Sequence, residues 1–176
     1  AVLKQMPDNA IVMMQLEIPL ESVESVIEFC KKSNIKIILD PAPAKNLTPE
    51  FTQNLYMITP NETEASTLTG IKINDLSDVK KAATKLLGFG SQYVLITMGA
   101  DGVYLASQND EFEYIPSPKV TTIDSTAAGD CFNGTLAVSL SQGLSVFEAA
   151  KKACLAASIS VTRKGAQDSM PFINEL

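Results

Sequence analysis

The sequence has no histidine and no tryptophan, only three cysteines, and aromatic residues at 6% of its 176 positions. The missing histidine excludes most. It removes Ser-His-Asp and Cys-His nucleophilic systems and every histidine-based metal site, so any chemistry must rest on carboxylates, lysines, hydroxyls and backbone amides. Cys30, Cys131 and Cys154 are odd in number, far apart and outside any C-x-x-C spacing. That pattern argues against a disulfide framework or a zinc site and for buried, reduced thiols. Positive charge is also scarce: 14 Lys and Arg stand against 20 Asp and Glu, a net charge of -6. With no basic run longer than a pair, there is no electrostatic footprint for nucleic acid or an anionic membrane. A compact phosphate site stays open, because backbone amides bind anions without net positive charge. No apolar run approaches the roughly 18 residues a membrane span needs, and no signal-peptide pattern opens the sequence, so a cytoplasmic location is expected.

What is present is a globular composition, 45% hydrophobic and 19% charged, with a mean hydropathy of +0.11. That value leans apolar for a soluble domain, as expected if part of the surface is normally covered by another part of a fold. The length suits one domain or a large piece of one.

Apolar runs at 10–15 (AIVMMQ) and 35–39 (IKIIL) flank a stretch in which Val23, Val26, Ile27 and Cys30 recur at helical spacing. The unit reads strand, helix, strand. The pattern repeats. Thr48-Pro49-Glu50 supplies a helix start before the run at 56–59, and residues 77–90 form an amphipathic helix leading into 93–98 (YVLITM). Such alternation predicts an α/β fold with a largely parallel sheet covered by helices. Residues 103–106 and 112–115 around Asn109-Asp110 fit a hairpin. Two further helices are predicted. One runs over 129–142, is ended by Gly143 and is apolar or small nearly all round, so it is expected to be buried. The other runs over 145–162 and is opened by the capping box Ser145-x-x-Glu148.

The segment Thr122-Ile-Asp124-Ser-Thr126-Ala127-Ala128-Gly129-Asp130-Cys-Phe-Asn-Gly134 carries the most information. A loop of small residues runs into a helix, where first-turn amides and the helix dipole converge on one point and make an anion hole. Asp130 on that turn would stand beside a bound phosphate, able to orient and deprotonate an attacking hydroxyl. Taken alone, the same residues fit an acid that only favours a helix N-terminus and an Asx-turn at Asp124. Neither G-x-x-x-x-G-K-[ST] nor G-x-G-x-x-G after a strand is present, which excludes P-loop and Rossmann readings on their own motifs. Likewise Asn61-x-x-Glu64 alone reads as a helix N-cap with a capping-box acid. Residues 97–102 alone are a strand-to-hairpin turn.

Residues 124–130 resemble the D-T-x-[GA]-A-G-D signature of the ribokinase-like (PfkB-type) family of carbohydrate and nucleoside kinases. In the same order come Asp40-Pro-Ala-Pro-Ala44, Thr59-Pro-Asn-Glu-Thr-Glu64, Thr97-Met-Gly-Ala-Asp-Gly102 and Arg163-Lys-Gly-Ala-Gln167 with Ser169 and Pro171. The resemblance covers nearly the whole sequence. It implies a three-layer fold and ATP-dependent phosphorylation of a sugar hydroxymethyl, D-ribose foremost, with another family sugar or nucleoside kinase, or a non-catalytic nucleotide-binding module, as the alternatives. By resemblance Asp130 is the base and Ala127, Ala128 and Gly129 supply the anion hole. Asn61 and Glu64 act around Mg²⁺ and the ATP phosphates through water. Thr97, Gly99, Ala100, Gly102, Gly129, Asp130 and Cys154 lie along the nucleotide, Cys154 standing where the family often has His or Asn near adenine. A monovalent cation, K⁺, is implied beside the anion hole, held by the Asp124 carboxylate, carbonyls of Thr126, Ser160, Arg163 and Gly165, and an oxygen of Ser169. Sugar and ATP are the expected partners, with no nucleic acid or membrane and with room for a homo-oligomer in the full-length form. Residues 1–176 are expected to be the C-terminal nucleotide-binding and catalytic part of such a kinase, lacking its N-terminal sugar-binding part and lid, and so to expose a strand edge and apolar surface.

Overall fold

A computed structural model describes residues 6–7, 10–45, 47, 49–109 and 111–176. They form two compact units. The first is made of the described part of Ala1–Thr97 with Tyr104–Glu113, the second of Met98–Val103 with Tyr114–Leu176.

The first unit is built on a sheet of order β1-β2-β3-β4-β5-β6, whose last strand carries the chain into the second unit. Its strands are β1 (Ile11–Met14), β2 (Lys36–Leu39), β3 (Met57–Ile58), β4 (Tyr93–Thr97), β5 (Val103–Ser107) and β6 (Phe112–Ile115). The first four are parallel, in the register Met14↔Leu39, Leu39↔Ile58 and Ile58↔Val94. The repeating strand-helix texture predicts this, since parallel neighbours need a crossover between them. Ile37, Ile38, Leu39, Met57, Ile58, Val94, Leu95 and Ile96 are all at or below 1% exposure. Consecutive residues point to opposite faces of a sheet, so this stretch of it is covered on both. β5 and β6 follow as sheet neighbours, with Ser107 N–H donating to Glu111 O at 2.9 Å across their connection; Asp110 lies outside the described residues.

Helix α1 (Leu20–Lys32) buries Val23, Ile27 and Cys30, one face at i, i+4, i+7, and leaves Val26 half-buried. Helix α2 is a single turn, Pro49–Thr52; the expected cap Thr48 lies outside the described residues. Helix α3 (Glu62–Thr69) starts at Asn61 and stops at Gly70, which is left-handed at φ 69°. Helix α4 (Leu76–Leu87) starts one residue before the predicted position, because the Asp75 carboxylate caps it by accepting from Asp78 N–H.

The second unit contains α5 (Ala128–Ser141) and α6 (Val146–Ser160), which pack on each other. Small residues make the contact close: Ala149, Ala150, Ala153 and Ala156 are fully buried beside Leu136. The expectation that α5 is buried all round is wrong. It buries Cys131, Phe132, Asn133, Leu136 and Ser139 on one face, whereas Val138 is 52% exposed. Small size lets a helix approach its neighbour on one face and does not require burial on the others. All three cysteines are free and buried. Among the described residues no helix is long and apolar enough to cross a membrane.

Candidate active site

The start of α5 differs from three other helix starts, while α1 also begins without a side-chain cap, at an extended Pro19. Asn61 caps α3, Asp75 caps α4 and Ser145 caps α6 through side-chain oxygens. At α5 the capping position is Ala127, left-handed at φ 60° and ψ 16°, with no side-chain cap. A left-handed alanine costs on the order of 1 kcal/mol. The Ala128 N–H turns back to Ser125 O at 3.2 Å and the Cys131 N–H makes the first helical bond to Ala127 O at 2.9 Å. Between them, Gly129 N–H occupies a first-turn position for which the helix offers no acceptor. Asp130 is the third helical residue and is exposed.

The loop before α5 is pinned by Asp124. One carboxylate oxygen accepts the Thr126 N–H at 3.0 Å and its hydroxyl at 2.7 Å, and the other accepts the Gly165 N–H at 3.0 Å. The Thr126 hydroxyl, then the Gly165 and Thr126 amides, hold this carboxyl down at about 2. The backbone N–H groups of Ile123 and Asp124 both donate to Val161 O, at 2.7 and 3.2 Å. Asp124, Thr126 and Gly165 are thus brought together. Gly165 has a φ of 91°, which explains a glycine there.

Ser160 and Ser169 are each 1% exposed. The Ser160 carbonyl accepts Arg163 N–H at 3.1 Å, and the Ser169 hydroxyl donates to Ala166 O at 2.8 Å. The Arg163 side chain is bonded to Glu175, with Nη1 3.3 Å from Oε2 and Nη2 on Oε1. That leaves the Arg163 main chain, not its guanidinium, for the loop. Cys154 is 5% exposed, and burial pushes its thiol up to about 11; it shares no hydrogen bond with the other predicted site residues among those described.

In the first unit, Asn61 and Glu64 close a reciprocal box. Asn61 Oδ1 accepts Glu64 N–H at 2.9 Å and Glu64 Oε2 accepts Asn61 N–H at 2.8 Å. Thr97 ends β4 and donates its N–H to Pro60 O at 2.9 Å, beside an isolated parallel bridge to Asn61. Burial raises the Glu64 carboxyl above its ordinary range, the Asn61 amide opposes this, and the negative charge of Asp40 adds to the rise. The family resemblance assigns Asp40 no role. It is 7% exposed at the end of β2 and accepts from Gln15 Nε2 at 3.1 Å. An acid directly after a buried strand was the available signal.

The turn after β4 places Gly99 at φ 53°, Ala100 and Asp101 in a single 3-10 turn, and Gly102 at φ 105°. Among the described residues no group of three or more acids, cysteines or histidines could hold a metal ion by itself.

Residues 8–173 match the pfkB family of carbohydrate kinases. The chain is 42% identical over 171 residues to a ribokinase of Haemophilus influenzae, covering 97% of this chain and 56% of that protein. A deoxyribokinase of Salmonella typhi is 37% identical over 166 residues, covering 94% of this chain and 54% of that one. Among solved structures, Arabidopsis thaliana ribokinase complexed with ribose and ATP superposes with a TM-score of 0.89 at 32% identity, covering 94% of this chain and 54% of that one. The chain therefore spans a little over half the length of the curated relatives it matches, nearly all of that span lies within one family, and it belongs to the pfkB carbohydrate kinases.

Proposed function

We propose that the protein to which this chain belongs transfers the terminal phosphoryl group of ATP to a sugar hydroxymethyl, D-ribose foremost, with Asp130 as the base. The observation that carries the reading is the start of α5, where a left-handed alanine at the capping position offers no side-chain cap and an acid stands at the third helical position. Phosphoryl transfer passes through a loose transition state that needs alignment and charge stabilisation more than covalent help. Asp130 accepts the hydroxyl proton as the sugar oxygen bonds to phosphorus and the bond to the ADP oxygen breaks. Gly129 N–H, with the small residues Ala127 and Ala128 keeping the approach open, faces the transferred group. The Gly99 to Gly102 turn and Thr97 run along the nucleotide, and Cys154 belongs to its adenine end.

Two ions fit the residues present. Glu64 and Asp40 bring two acidic charges near each other, an arrangement that favours a divalent cation, and Asn61 and Glu64 would hold Mg²⁺ through water. When bound, Mg²⁺ neutralises phosphate charge. The Asp124 carboxylate, the carbonyls of Thr126, Ser160, Arg163 and Gly165 and the Ser169 oxygen form an oxygen-only donor set suited to K⁺. The bonds that Asp124 and Ser160 already accept leave further lone pairs on the same oxygens.

The relatives include both a ribokinase and a deoxyribokinase at comparable identity, so the test compares acceptors. ADP release from the whole protein is measured with D-ribose, 2-deoxy-D-ribose and D-fructose, for wild type and Asp130→Asn. D-ribose is expected to be the best acceptor. Asp130→Asn is expected to lower turnover by about 10²–10⁴-fold while ADP binding stays near that of wild type. Turnover retained in Asp130→Asn removes the base assignment. Nucleotide binding with no transfer to any sugar favours a non-catalytic nucleotide-binding module.

A further inference from the structure

The turn formed by residues 98–102 first makes its own bonds. Met98 N–H donates to Gly102 O at 2.8 Å, Asp101 N–H to Met98 O at 3.0 Å, and Gly102 N–H to Gly99 O at 3.2 Å. These bonds answer three of the five carbonyls. The other two, of Ala100 and Asp101, are met by side chains from β6 and the segment after it. Tyr114 Oη donates to Asp101 O at 2.6 Å. Lys119 Nζ donates to Ala100 O at 3.4 Å and stands 3.7 Å from the Asp101 carboxylate. Every carbonyl of the turn then has a donor. The backbone fit is equally close, because a Cβ on Gly102 would lie 2.1 Å from Ile115 O and 2.7 Å from Ser117 N.

We propose that Tyr114 is a positioning residue of the nucleotide site, with Lys119 as its second point of attachment. This rests on the reading of the 99–102 turn as nucleotide-binding. By fixing the Ala100 and Asp101 carbonyls toward β6 and its continuation, the two side chains set the direction of the consecutive Gly99 and Ala100 amides, which no bond within the turn uses. Successive amides in such a turn form a concave donor pair for an anion. The pair binds well only if the turn does not have to be ordered at the moment of binding. Tyr114 is 43% exposed, so its hydroxyl can be removed without opening a cavity.

The test titrates ADP into the whole protein by calorimetry for wild type, Tyr114→Phe, Lys119→Met and Lys119→Arg, with the thermal midpoint of each measured without nucleotide. Tyr114→Phe is expected to raise the ADP dissociation constant about three- to tenfold, the worth of one net hydrogen bond, with an unchanged midpoint. Lys119→Met is expected to produce a smaller rise that Lys119→Arg restores. If Tyr114→Phe binds ADP as wild type does, or loses affinity only together with its midpoint, the positioning role is overturned. If wild type itself binds no ADP, the nucleotide reading fails and this inference fails with it.

Discussion

The two helices of the second unit begin in opposite ways. At α6, Ser145 accepts Glu148 N–H at 3.2 Å while Glu148 returns bonds to the Ser145 amide and hydroxyl at 3.2 and 2.8 Å. At α5 the corresponding position holds an alanine in a left-handed conformation with no side-chain oxygen to offer. The first start has its third-residue amide taken by its own cap. The second keeps a backbone conformation that alanine disfavours, has no capping side chain, and leaves the Gly129 N–H without a helical acceptor. A helix start that costs stability while gaining no cap is better explained by what it binds than by what it stabilises.

That contrast can be broken at each end. The largest effect is expected from Ala127→Val, because a β-branched residue is a poor occupant of the left-handed region. Chemical unfolding should show a loss of about 1–3 kcal/mol, and ADP titration should show weaker binding. Ser145→Ala should cost about 1 kcal/mol and leave ADP binding as in wild type. If Ser145→Ala weakened ADP binding as much as Ala127→Val, the two helix starts would not differ in kind.

The smallest effect concerns acid. Three hydrogen bonds make the folded chain release the Asp124 proton more readily than the unfolded chain, whose carboxyl has the ordinary value of 3.8. The stabilisation is therefore complete above that value and disappears as pH falls through about 2. Thermal midpoints of wild type and Asp124→Asn should be separated at pH 5 and converge toward pH 2. A separation that persists at pH 2 would mean that the carboxylate charge is not what pins the loop.

The start of α6 was legible in the sequence because Ser145-x-x-Glu148 is a local device whose two partners are three residues apart. The same holds for Asn61 and Glu64. The left-handed turn at Ala127 was not legible, since nothing in an alanine signals a positive φ. The cap at Asp75 is less legible, because the residue three positions on is Asp78 and not the Glu or Gln of a capping box. The nearness of Asp40 to Glu64 and the bond from Tyr114 to Asp101 depend on which distant segments become neighbours, and spacing along one sequence does not state that. The sheet was the easier part. Parallel strands buried on both faces appear as consecutive apolar residues, and 37–39 and 94–96 are such runs.

The attachment of Arg163 to Glu175 joins the last residues to the loop after α6, with Glu175 also accepting Phe172 N–H at 2.8 Å. The final segment is thus structurally continuous with the loop that holds Gly165 against Asp124. A substitution at either 163 or 175 would therefore act on the loop as well as on its own segment.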